Sequence, residues 1–248
     1  MDKLIYCTSS GGRGTAVRKA LYNSRQGQFA NRKDLVHSES TNLPEWTGGD
    51  PIRLFRASDK HERKNGTAYC EVMVALPNEL GTGQRQIDLA RDLAKIIAGG
   101  RPCFLNIHSS QSSLEDMPNI HMHAMYSNRV PDGIARSEEG TFLRFNPDEP
   151  AKGGCRKLDC GRHPAEVKRG LLQKREEVAQ EINQHLEQAG LPGSIRHVAS
   201  KRPGDGGGAE RHLGQARVRR MSVQEKADFV SRRRGRRQPG DSPEGVDS

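Results

Sequence analysis

Aromatic and apolar side chains are scarce in this chain: 4% of its 248 residues are Phe, Trp or Tyr, there is one Trp, and a third of the residues are hydrophobic. So little apolar material excludes a core that fills the whole length. A packed domain is expected over residues 1–200, followed at 201–248 by a Gly- and Arg-rich, largely disordered tail with a short His212-Leu213-Gly214 segment. No apolar run is long enough to span a bilayer, and no charged-then-apolar leader follows Met1, so a cytoplasmic protein without membrane insertion is expected. Cysteine is also sparse. Five residues, at positions 7, 70, 103, 155 and 160, form no paired framework, which excludes a disulfide-stapled secreted domain. Cys155, Cys160 and His163 lack the fourth ligand of a structural zinc site.

Basic charge is plentiful. Lys and Arg exceed Asp and Glu by 40 to 31, a net charge of +9, and the last 48 residues hold 12 basic and 7 acidic residues, or +5 of that total. An excess of this kind favours a polyanionic partner such as nucleic acid. Near the N-terminus, a strand-like run from Lys3 to Thr8 and a flexible loop over Ser9-Ser10-Gly11-Gly12-Arg13-Gly14 precede a helix. Thr15 can cap that helix, whose body, Ala16 to about Gln26, surrounds Tyr22 with Arg18, Lys19 and Arg25. A second basic region follows Asn128, with Arg129, Arg136, Arg144, Lys152, Arg156 and Lys157, and its Phe142 and Phe145 are placed to stack on bases. Arg13, Arg18, Lys19, Arg25, Arg129 and Arg144 are the candidate nucleic-acid contacts.

Three stretches alternate as strands do. Ala68 to Leu76 puts Val72, Val74 and Leu76 on one face and Glu71 on the other, and Cys103 to His108 alternates in the same way. In Asn119 to Met125, His121 and His123 are two apart, so both imidazoles share one face while Ile120, Met122 and Ala124 share the opposite one. If the two later runs pair, His108 joins them, and three imidazoles make a Lewis-acid metal site. Glu71, if it lies on the same face, would orient an imidazole by accepting its second N–H. Between these runs, Thr82 to Ala98 reads as an amphipathic helix ended by Gly99-Gly100. The polar connection from Ser109 to Pro118 could lie over the site. Pro164 to Ala189 is the longest helical stretch, with Val167, Leu171, Val178, Ile182 and Leu186 on its apolar stripe. The polar segment from Gln28 to Lys64 has a helical pattern over Pro51 to Arg63, and Trp46 is expected to bury its ring under the sheet.

Several of these pieces occur in a telling order: Tyr22 on the first helix after a Gly-rich loop, Glu62-Arg63-Lys64-Asn65-Gly66, Glu71-Val72-Met73-Val74-Ala75-Leu76-Pro77-Asn78-Glu79-Leu80, Ile107-His108, His121-Met122-His123 and His212-Leu213-Gly214. Together they resemble the MobA/MobL family of plasmid mobilization relaxases, within the HUH endonucleases, over about positions 1 to 215. The resemblance implies an α+β HUH relaxase fold, an antiparallel sheet with helices on one face and a metal site on the other. It also implies that Tyr22 is the nucleophile, that Glu71 is the acidic residue beside the ligands, and that His108, His121 and His123 hold one divalent metal ion, with Mn, Mg and Zn not distinguished. The implied activity is nicking of one strand at a plasmid transfer origin through a 5′-phosphotyrosine link. Implied partners are single-stranded transfer-origin DNA, accessory mobilization proteins and a type IV secretion coupling protein, with transfer to the recipient cell alongside the DNA. Relaxases carry the tyrosine upstream of His-x-His, whereas related replication initiators and transposases carry it downstream, where Tyr126 stands here. A non-enzymatic single-stranded DNA-binding protein is the other alternative. Where relatives show an Asp-His-Arg run, this chain reads Ile195-Arg196-His197-Val198, so only His197 corresponds.

Overall fold

The structure, a computed structural model, describes residues 3–81, 83–111, 118–158, 161–197 and 215–235. The alternating runs become strands β3 (Thr67–Ala75), β4 (Cys103–Gln111) and β5 (Pro118–Tyr126), joined by β1 (Tyr6–Gly12) and β2 (Leu35–Thr41). The sheet order is β1-β3-β5-β4-β2, with β1/β3, β3/β5 and β2/β4 antiparallel. The strand bearing His121 and His123 is therefore central, with the His108 strand hydrogen-bonded beside it. The helices of this unit are α1 (Ala16–Asn23), α2 (Pro51–His61), α3 (Gln84–Ala98), α4 (Glu138–Phe142) and α5 (Pro164–Gln188). The chain divides into two compact units. One is Asp2–Ser110 with Asn119–Val198; the other is Met1, Gln111–Pro118 and Ala199–Ser248, and carries α6 (Gln215–Arg220) and α7 (Val223–Gly235).

Alternation along the strands decides what covers each face. Val72, Val74, Leu105, Ile107, Ile120, Met122 and Ala124 point to α3 and α5, where Leu89, Leu93, Ile97, Val178, Ile182 and Leu186 meet them. Each large side chain fully buried there contributes roughly 1.5–3 kcal/mol. Asp92 of α3 and Glu181 of α5 both pair with His185 at the rim of this contact. Gly99 ends α3 in the left-handed conformation, and the buried Arg101 donates to the α3 carbonyls of Ile97 and Ala98. The opposite face, which bears the histidines, is itself partly covered by helices. Ala16 and Ala20 of α1 and Leu54 and Phe55 of α2 pack there with Tyr69, Phe104, Met125 and Phe142.

Several expectations change. Ser9 to Gly12 is not a loop: it continues β1, with Ser9 opposite Glu71 and Ser10 opposite Cys70. At Gly11 a Cβ would collide with the Tyr69 ring, so the missing side chain is what allows that close approach. The polar run Leu35–Thr41 becomes a strand because it lies at the sheet edge, where a continuous apolar face is not required. Thr15 does not cap α1; its hydroxyl donates to the Gly12 carbonyl. Asp59 of α2 does this instead, accepting from the backbone N–H groups of Gly14, Ala16 and Val17 at 2.7–3.0 Å. The Trp46 ring is half-buried against the second core and its Nε1 donates to Thr141. Phe142 is 2% exposed within that core and so cannot stack on a base. Val167 and Leu171 are exposed, because α5 packs only through its second half. Within the stretch expected to be disordered, α6 and α7 are helical, and Ser222 and Glu225 form a reciprocal capping box ahead of α7. The remainder of that tail, His212-Leu213-Gly214, Cys160 and residues 112–117 of the expected covering loop lie outside the described residues.

Candidate active site

Strand pairing brings His108, His121 and His123 together. Their ring centroids are 4.9–5.4 Å apart, and one ligand nitrogen from each lies within 4.8 Å of the others. Burial grades across the cluster, with His108 fully enclosed and His121 half-exposed.

Hydrogen-bond partners fix the tautomers, because a carbonyl or carboxylate can only accept and a guanidinium can only donate. Nδ1 of His121 faces the Asn119 carbonyl at 3.0 Å, and Nδ1 of His123 faces Oε1 of Glu71 at 3.0 Å. Both Nδ1 atoms therefore carry a proton, which leaves Nε2 as the nitrogen of each ring open to a metal ion. His108 differs. Its Nε2 donates to the Asn23 carbonyl at 2.6 Å, while its Nδ1 accepts from Nη2 of Arg25 at 3.1 Å. Burial, then the charges of His123 and Arg25, push His108 down to about 3 against the raising effect of the Asn23 carbonyl, so this ring is neutral. Burial also lowers His121. Neutral imidazoles whose second N–H rests on an oxygen acceptor are the donor set of a divalent metal ion, and this cluster fits one.

Glu71 is the hub beside them. It is 4% exposed, and its carboxylate accepts from His123, from Nδ2 of Asn23 at 2.7 Å and from the Ser9 hydroxyl at 3.0 Å, and pairs with Lys19 at 2.7 Å. Burial alone would raise its pKa; the hydrogen bond and charge of His123, with Lys19, outweigh burial and hold it at about 2. Asn23 thus touches one candidate ligand, His108, through its backbone, and the support of another, Glu71, through its side chain.

Tyr22 stands at the end of α1 among cations. Arg25, Arg32 and Lys19 lie 4.5, 5.0 and 5.5 Å from its ring centroid, and Arg32 donates to the hydroxyl at 3.0 Å. Phe29 meets the ring edge-on at 5.3 Å. Arg25 belongs to both groups, since it lies over Tyr22 and also bonds His108. Its Nε and Nη2 hold Asp34 bidentately at 2.7 and 2.8 Å, and that hydrogen bond draws the Asp34 carboxyl down to about 2.

The other expected DNA contacts divide by burial. Arg25 and Arg129 are interior. Arg129, 3% exposed, spends its guanidinium on both oxygens of Glu62 and on the carbonyls of Phe142, Leu143 and Cys155, so it braces the loop after β5 and is not available to a phosphate. Lys19 is committed to Glu71, and Arg13 is exposed but donates to the carbonyls of Asp59 and Lys60. Arg18 and Arg144 are exposed. Tyr126 packs with the helix-side core, its ring on Arg101 at 4.3 Å, on the face opposite the histidines. A nucleophilic role for it is thereby overturned. Asn23, Arg32 and Asp34 went unread in the sequence because nothing in their spacing sets them apart from other polar residues.

Sheet, helices and histidine cluster define a class: an α+β protein with a candidate three-imidazole metal centre and an adjoining tyrosine held among cations. The MobA/MobL family profile matches residues 13–223, and the chain belongs to that family. It is 36% identical over 181 residues to the 43 kDa relaxation protein of Salmonella typhimurium, an alignment covering 72% of this chain and 48% of that one. To Mobilization protein A of Escherichia coli it is 37% identical over 191 residues, covering 76% of this chain and 25% of that one. The chain therefore spans about half the length of the first relative and a quarter of the second. A solved structure described as "Molecular Basis of Vancomycin Resistance Transfer in Staphylococcus aureus" shares the fold, with a TM-score of 0.58 and 21% identity, over 80% of this chain and 100% of that one. Among the described residues, no helix is long and apolar enough to cross a membrane.

Proposed function

We propose that this chain is the nicking domain of a plasmid mobilization relaxase, which cuts one strand of transfer-origin DNA by metal-assisted tyrosine transesterification. The observation that carries this reading is the meeting of three imidazoles, two of them held through Nδ1 with Nε2 open to an ion, beside an Arg25 that touches both His108 and the Tyr22 ring. The family and the names of the two relatives, a relaxation protein and a mobilization protein, support the choice of substrate.

His108, His121 and His123 would hold a divalent ion, Mn, Mg or Zn, which would supply Lewis-acid stabilisation of charge on the scissile phosphate. Glu71 and the Asn119 carbonyl hold the His123 and His121 rings by their Nδ1 atoms, which reserves Nε2 for an ion. The Tyr22 oxygen attacks phosphorus. Its bond to phosphorus forms as the bond to the 3′ oxygen breaks, the phenol proton passes to water, and the 3′ oxygen takes one up, so one phosphodiester replaces another without oxidation or reduction. Lys19, Arg25 and Arg32 offset negative charge on the tyrosine oxygen during attack, and again when the 3′-hydroxyl displaces it on resealing. Arg18 and Arg144 serve the DNA backbone. Accessory mobilization proteins and a type IV secretion coupling protein are the further partners this role requires, with the protein acting in the cytoplasm and passing to the recipient with its strand.

The test is incubation with single-stranded transfer-origin DNA and Mn²⁺, reading a protein–DNA adduct that survives denaturing electrophoresis. An adduct lost with chelator and in Tyr22→Phe is expected. One that persists in Tyr22→Phe overturns the nucleophile. Salt-sensitive binding with no adduct on any origin overturns the catalytic reading in favour of a binding protein.

A further inference from the structure

We infer that Arg25 and the metal ion are alternative partners of His108, so that metal entry frees a guanidinium N–H beside the site to take a phosphate oxygen of the DNA. This rests on the function proposed above and concerns the order in which that site is filled.

A neutral imidazole has one N–H and one in-plane lone pair. In His108 the N–H is donated to the Asn23 carbonyl and the lone pair is taken by Nη2 of Arg25. An ion bound at Nδ1 replaces Arg25 directly. An ion bound at Nε2 leaves the proton on Nδ1, and an N–H cannot accept from a guanidinium. On either nitrogen, the Arg25 contact must break.

Arg25 does not depend on that contact to stay in place. Nε and Nη2 keep Asp34, Nη1 donates to the Tyr22 carbonyl, and the ring of Tyr22 lies against the guanidinium. Only the second Nη2 hydrogen, the one that rests on His108, is released. The backbone points the same way. α1 ends in a Schellman turn, with Gln26 N–H on the Leu21 carbonyl and Arg25 N–H on the Tyr22 carbonyl. Arg25 fills the left-handed position, φ 55°, where glycine is the usual occupant. Its side-chain bonds hold that residue in a conformation a long side chain rarely adopts. The guanidinium thus holds the His108 lone pair in the structure and, when an ion takes that ring, turns one donor over to substrate. Metal and DNA consequently bind cooperatively through this residue.

The experiment titrates Zn²⁺ into the whole protein by calorimetry, without DNA, comparing wild type with Arg25→Gln/Asp34→Asn. That pair removes one cation and one anion together, so the local net charge is unchanged and the readout is the freed lone pair. The double variant is expected to bind Zn²⁺ tighter by about tenfold or more. In ¹⁵N spectra of the wild type, the Arg25 side-chain N–H signals are expected to shift at saturating Zn²⁺. In a Tyr22→Phe background, Zn²⁺ should strengthen binding of a single-stranded oligonucleotide, and less so when Arg25→Gln is added. Arg25 signals unmoved by saturating Zn²⁺ in the wild type overturn the inference while leaving the proposed function standing, and this measurement does not depend on any variant folding. Absence of Zn²⁺ binding to the wild type overturns both.

Discussion

Cys103 opens β4 among the helix-side core, 2% exposed, and burial pushes its thiol up to about 12. An unfolded thiol releases its proton near pH 9. Between those values the unfolded chain binds fewer protons than the native one, so stability that is full below pH 9 is lost as pH rises through 12. Tyr6 adds to the same alkaline loss, because burial raises it to about 12 against the lowering charges of Arg175 and Arg101. Denaturant midpoints measured from pH 8 to 11 should fall, and Cys103→Ala should flatten the part of that fall between 9 and 10. The same scale shows what sequence could and could not reveal about the site. His121 and His123 announce themselves by a spacing that only a strand gives meaning to, and Glu71 by standing out of phase with an apolar run. Asn23 has no such mark: its importance comes from a backbone carbonyl and an amide brought to residues 85 and 48 positions away.

At the scale of elements, α1 carries Tyr22, and its start is tied to α2 by three backbone N–H groups on one carboxylate, that of Asp59. Asp59→Ala should cost about 1–2 kcal/mol, the worth of a strong helix cap, read as a lowered urea midpoint with unchanged slope. Adduct formation should fall with it, since Tyr22 loses its mounting. Central strands and long amphipathic helices were legible because they bury one face, and periodicity reports burial. β2 and the extension of β1 were not legible, since an edge strand and a serine-glycine strand bury too little to impose a pattern. The cap of α1 lay 44 residues from the threonine that local rules favour. Such a partner belongs to packing and leaves no local signature.

For the molecule as a whole, the positive charge that suggests nucleic acid is divided between work inside and work outside. Binding of single-stranded DNA to Tyr22→Phe should weaken by at least about tenfold from 50 to 200 mM salt, and Arg18→Gln or Arg144→Gln should each make that dependence shallower. Arg129→Gln should leave the salt slope unchanged and lower stability, because it strips the buried Glu62 of its bidentate partner. The strand order has its own consequence. β1 and β2 are encoded ahead of the other three strands, yet each pairs only with a strand encoded later, β1 with β3 and β2 with β4, at opposite edges of the sheet. These two strands therefore have no mutual pairing to rest in, and must wait until the strands that lie between them in the sheet have been synthesised.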